Sequence, residues 1–285
     1  MRGISIGFRH PKRLLGGTSI LMLAAVIPMV IQLVMEHFLL RADTPSKPVF
    51  VAIFIGAPMV VSLLLLPLNA GYLQTVDAAE RGLKGRARDI FKPYQEGTAP
   101  SIIGYGLVLL LVYVALAALV IAVTGGGLPS WYMQLLTAQA NHLPPPGIMP
   151  AGMGIAIALM VVLGVFMVGF YSISLGQVAL RRREVFSAIA DGFIGTMKNL
   201  LPLLVFILSL ILGWLVILIG VVLIALVLML VGKLVGVWAV FALVIPLYIA
   251  LFLVMISGMF GLMYHLWRDV CGSDIVPATD PSIFA

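Results

Sequence analysis

Leu200 to Trp267 reads "LLPLLVFILSLILGWLVILIGVVLIALVLMLVGKLVGVWAVFALVIPLYIALFLVMISGMFGLMYHLW", nearly seventy positions with one charged residue, Lys233. A membrane-spanning helix needs ~20 apolar residues, so this stretch is too long to be one span. A turn at "GKLVG" (Gly232 to Gly236) divides it into two, at about 200–231 and 237–267, each slightly longer than the minimum in a way that tilt absorbs. The same reading carried outward gives spans at about 17–40, 49–76, 101–124 and 151–180. The expected fold is therefore all-α: a single polytopic transmembrane bundle of about six spans occupying 1–285.

Composition agrees. Hydrophobic residues make up 62% and charged residues 10%, against about half and a quarter in soluble domains. Met1 to Arg13 is basic and Gly16 to Leu40 apolar, but the apolar run exceeds a signal-peptide core and ends in Glu36-His37 without a small-x-small cleavage site, so it reads as a retained span. The net charge of +6 points to topology, not to nucleic acid. Arg2, Arg9, Lys12, Arg13, Arg81, Lys84, Arg86, Arg88, Lys92, Arg181, Arg182, Arg183, Lys198 and Arg268 fall on one side of a six-span chain, and only Arg41, Lys47 and Lys233 on the other. The positive-inside rule then predicts cytoplasmic termini and cytoplasmic segments 78–97 and 181–198. The proline-bearing stretch "GGGLPSWYMQLLTAQANHLPPPGIMP" reads as an outer loop, polar to interfacial, stiffened by Pro144 to Pro146.

The two mixed inserts have helical periodicity. In the first, Ala79, Leu83, Ala87, Ile90, Phe91 and Tyr94 form one stripe, although Gly82, Gly85 and Pro93 predict that its ordered part is short. In the second, Val185, Phe186, Ile189, Phe193, Ile194 and Met197 form a stronger stripe. Amphipathic helices of this kind lie at the membrane surface, where each nearby cation contributes ~1 kcal/mol with anionic headgroups. Arg81, Lys84, Arg88, Arg181, Arg182 and Arg183 are thus the candidate lipid- or partner-docking residues. A shift of 98 positions brings Gly71-Tyr72 onto Gly169-Phe170 and Gly97 onto Gly195, which suggests a repeated unit of span, insert and span.

The segments "PLNAGYLQTVDAAERG", followed by Phe91, and "GQVALRRREVFSAIADGFIGTMKN", leading into "LLPLL", resemble the paired hairpins of bacterial six-helix membrane families similar to the membrane domain associated with glycerophosphodiester phosphodiesterases. The resemblance implies an inner-membrane bundle. It implies no catalytic residue, because the phosphodiesterase domain has no counterpart in the sequence.

Intramembrane polar groups are costly and few here. Glu36 and His37 lie near the outer end of the first span, but adjacent helical residues point about 100° apart and do not jointly face one ion. His265 sits among Tyr264 and Trp267 as part of an aromatic belt, and Lys233 reads as a loop or snorkelling lysine. Asn69, near Pro67, is a candidate for bonding across helices. Pro28, Pro58, Pro202 and Pro246 read as kinks. One cysteine, Cys271, excludes an intramolecular disulfide, and no metal, nucleotide or nucleophile motif is present. No cofactor is expected. The sequence therefore leads to a non-catalytic accessory or membrane-organising protein whose partners are anionic lipids, a membrane protein or a second copy. The alternatives are a transporter or flippase for an apolar or amphiphilic molecule, which needs a midplane cavity at the repeat interface, and an enzyme, which needs polar groups converging at one depth.

Overall fold

The computed structural model describes residues 11–41, 48–140, 143–147 and 149–272. Among these are nine α-helices and no strand. They are α1 (Pro11–Arg41), α2 (Pro48–Glu80), α3 (Lys92–Gln95), α4 (Ala99–Val123), α5 (Gly127–Ala140), α6 (Met153–Arg181), α7 (Val185–Lys198), α8 (Leu200–Val235) and α9 (Val237–Cys271), with a 3-10 turn at Ala87–Phe91 before α3. Six of them, α1, α2, α4, α6, α8 and α9, are long and apolar enough to cross a membrane. Helices are the form that such a chain must take there, since hydrocarbon offers no partner to a backbone N–H or C=O.

The turn in the long apolar stretch is tighter than the sequence predicts. α8 continues through Lys233 to Val235, and Gly236 alone, at φ +110°, reverses the chain. A side chain there would be strained. Close approach at the top of the hairpin is set by Gly232, where an added Cβ would lie 2.7 Å from Val240 Cγ2. Pro28, Pro58, Pro67 and Pro246 lie inside helices, whereas Pro202 occupies the first turn of α8, where its missing N–H leaves no intrahelical bond unmade. The stretch expected as an outer loop holds a further helix, α5, which its mixed composition of Gln, Thr, Ser and aromatics conceals from a hydropathy reading. Pro144 to Pro146 lie outside any helix.

Burial is concentrated at the end of the bundle that carries both inserts. Leu14, Leu73, Val76, Ile90, Ile102, Tyr105, Ile173, Leu175, Leu203 and Trp267 are fully enclosed there. α9 closes this core by packing against α6, α1 and α2. A hydroxyl cluster ties the first and last spans to α2: Thr18 Oγ1 lies 2.7 Å from both Tyr72 Oη and Ser257 Oγ, and Tyr72 Oη donates to Ser257 Oγ at 3.1 Å. Gly17 admits the Tyr72 ring, whose Cε2 would sit 3.0 Å from an added Cβ. Tyr72→Phe is expected to lower stability by about 1 kcal/mol, the scale of one interhelical hydrogen bond in a membrane, read from the unfolding midpoint in mixed micelles. An unchanged midpoint would show that the cluster contributes nothing.

The span–insert–span unit occurs twice, as α2–insert–α4 and α6–α7–α8. Gly71 meets the first insert at Ile90 O, and Gly169, 98 positions later, meets the second at Thr196. The two inserts nevertheless fold differently. In place of one helix over 79–94, α2 ends at Glu80, Gly82 turns at φ +69°, and only the 3-10 turn and the single turn of α3 are ordered helically. Ile90 of the predicted stripe is buried, while Leu83, Phe91 and Tyr94 are exposed. The second insert is a regular helix, but the residues it buries against α6 are the small ones, Ala188, Gly192 and Thr196. Val185 and Ile189 pack at the edge of the core, and Phe186, Phe193, Ile194 and Met197 point outward.

Candidate docking surface at the basic end

Both ends of the described chain and both inserts meet at one end of the bundle, bringing twelve Lys and Arg together with seven Asp and Glu. Repulsion among so many cations is relieved by pairing. Arg81 Nε lies 2.9 Å from Asp77 Oδ1, one helical turn earlier, and Asp77 holds the Arg81 guanidinium above its ordinary value. The same carboxylate oxygen accepts a hydrogen bond from Tyr264 Oη at 3.0 Å, so one acid joins the end of α2 to α9. Arg268 stands 3.7 Å from Glu80 and lies over the Tyr264 ring.

The three consecutive arginines separate to three targets. Arg181 stays in α6, lies over the Trp267 ring at 5.9 Å and donates to the Cys271 carbonyl. Arg182 takes the left-handed conformation, φ +52°, that ends α6, and its side chain reaches Glu96 beside α3. Arg183 Nη1 lies 2.7 Å from Asp191 Oδ2 in α7, to which Gln177 Nε2 also donates at 2.9 Å. One short basic run therefore fastens α6 to α9, to the first insert and to α7. These pairs are partly exposed, so each contributes at most about 1 kcal/mol.

Lys84 and Arg88 are different. Both are exposed on the first insert and form no ion pair within the described residues, as does Lys198 at the end of α7. Inside the same insert Arg13 Nη1 donates to Leu83 O at 2.8 Å, and Gly85 leaves room for that guanidinium, which would lie 2.3 Å from an added Cβ. Tyr94 donates to the Leu64 carbonyl of α2, and burial pushes its phenol up from the ordinary value. The insert is thus seated on α1 and α2, with its unpaired cations outward.

The intramembrane candidates do not converge. Asn69 lies within interacting reach of the Tyr171 phenol of α6. The Glu36 and His37 side chains lie outside the described residues, and their places in the sequence of α1 put them toward the opposite end from His265, whose ring packs on Tyr264. Among the described residues no group of three His, Cys, Asp or Glu could hold a metal ion. The sequence reading singled out the cations and passed over Asp77, Glu80, Glu96 and Asp191; only Asp77–Arg81, four residues apart, carries a local signal of pairing. Compared with known proteins, the chain matches no protein-family model, no curated protein and no solved structure.

Proposed function

We propose that this is a multi-pass protein of the bacterial inner membrane with both termini and both inserts in the cytoplasm, where it has a non-catalytic role as an accessory subunit or organiser of the surrounding bilayer. The observation that carries this reading is the composition of the exposed basic end. Among the described residues Lys84, Arg88 and Lys198 form no ion pair there, and Phe186, Phe193, Ile194 and Met197 are exposed on α7, which ends at Lys198. Apolar side chains entering the acyl boundary with cations at headgroup level suit an anionic membrane surface or a partner seated on it. Four of the seven acids at this end, Asp77, Glu80, Glu96 and Asp191, are held in ion pairs that tie the helices together.

Purification in mild detergent should retain anionic phospholipid, a membrane-protein partner or a second copy. Combined Lys84→Gln, Arg88→Gln and Lys198→Gln should reduce retained anionic lipid severalfold by native mass spectrometry. A monomer free of all three, or a triple variant that retains as much as the parent, overturns the reading.

A transporter or flippase is favoured by one observation, an open cleft between α4 and α6 where the two span–insert–span units meet. Against translocation to the basic end stand two closures. Tyr105 Oη and Ser174 Oγ bond at 2.8 Å between the same two helices, and the Thr18–Tyr72–Ser257 cluster fills the centre.

A further inference from the structure

The cleft between α4 and α6 has a volume of about 600 Å³ and is lined on one side by Tyr113, Leu116 and Val120 and on the other by Met160, Gly164 and Tyr171, among others. These positions recur at helical spacing, so the cleft runs along both helices and opens sideways toward the bilayer. Its wall is apolar apart from two phenols. Tyr171 is engaged with Asn69, but Tyr113, half exposed in the cleft, makes no hydrogen bond among the described residues. Tyr113 is ten residues from Val123, the end of α4, or about 15 Å along the axis, which is half of a ~30 Å hydrocarbon layer. At that depth no water or headgroup reaches the hydroxyl, and an unmet donor in hydrocarbon is costly. Toward the basic end the cleft is floored by the Tyr105–Ser174 bond.

A donor at the midplane of an apolar, laterally open cleft suits a long apolar molecule with a neutral acceptor that can sit that deep. Glycerolipids carry their ester carbonyls near the headgroups, at the wrong level. An isoprenoid quinone carries ring carbonyls without charge and partitions whole into the hydrocarbon. We propose that the α4–α6 cleft is a quinone-binding site in which Tyr113 Oη donates to a ring carbonyl and the isoprenoid tail lies along Leu116, Val120 and Met160. The site is independent of the docking surface at the basic end, since none of its lining residues lies there. Binding alone is proposed, with no electron transfer.

The full chain in nanodiscs, titrated with decylubiquinone and corrected against empty discs, tests this. Saturable binding of one quinone per chain is expected. Tyr113→Phe removes only the unbonded hydroxyl and should weaken binding about fivefold, within the range of single hydrogen bonds in membranes. Gly164 faces open space, so Gly164→Leu should fold and abolish binding by filling the cleft, whereas Gly104→Leu, at an equally open position outside it, should leave binding unchanged. Uptake no greater than in empty discs, equal affinity of Tyr113→Phe and parent, or full binding by Gly164→Leu overturns the proposal. So does a cleft occupied by phospholipid alone and indifferent to Tyr113.

Discussion

Gly71→Ala should be among the most damaging single substitutions in the chain, costing about 3 kcal/mol or more. An ideal Cβ at position 71 would stand 1.9 Å from the carbonyl oxygen of Ile90, 2.7 Å from its carbonyl carbon and 2.9 Å from Pro93 Cδ. Two of these atoms are backbone and the third belongs to a ring, so no rotamer change relieves the contact. The first insert must back away by more than an ångström, lifting Ile90, now fully buried, out of its slot against α1 and α2. Overpacking a tight core costs 1–3 kcal/mol when side chains can adjust, and about the upper bound or beyond when backbone must move. Alanine ordinarily favours a helix by about 1 kcal/mol over glycine, and Gly104→Ala, where nothing stands within 4 Å, should show that gain. Unfolding midpoints of the two variants in mixed micelles should therefore move in opposite directions. If Gly71→Ala unfolds where the parent does, the insert is not seated on α2.

Trp267→Ala is expected to cost about 3–5 kcal/mol, the range for removing a buried aromatic and leaving a cavity. Trp267 is 1% exposed near the end of α9, and Gly176 of α6 makes room for it: a Cβ there would lie 2.3 Å from the indole Cδ1. The indole is also the platform for Arg181, which fastens the end of α6 to the last turn of α9. Truncation therefore removes packing and a cation–π contact together and frees α9 from α6. Trp267→Phe should lose less, because a ring still fills part of the space. Protease cleavage near Cys271 in membranes reports the release directly, and equal protection in Trp267→Ala and parent would show that α9 is held elsewhere.

Hydropathy was sufficient for the six long helices, because each apolar window exceeds the membrane's thickness and has one way to satisfy its backbone. The single-residue turn at Gly236 was legible to within a few positions from Gly232 and Gly236 around Lys233. Periodicity was less informative for the inserts. It marks which residues can share a helix face but not which face the neighbouring helix takes, and on α7 that neighbour takes Ala188, Gly192 and Thr196, since small residues let α6 approach closely. α5 was missed because a helix without a continuous apolar face or charged pairs leaves no pattern distinct from a loop. The run Arg181 to Arg183 was visible, but its three destinations were not, since Cys271, Glu96 and Asp191 are distant in the chain or on another face. The unbonded Tyr113 hydroxyl could be found only by placing α4 against α6.

The bond from Thr18 to Ser257 spans 239 residues. A ribosome making the chain delivers Thr18 and Tyr72 to the bilayer early, and Ser257 only 185 residues after Tyr72, about 10–40 s later at ordinary elongation rates. For that interval the nascent α1–α2 pair holds two hydroxyls that can bond each other but not their third partner, beside an empty seat for α9. A transcript truncated after α8 should yield inserted but unlatched protein, cleared by membrane quality control. Arrival of α9 is thus what supplies the third hydroxyl and closes the cluster.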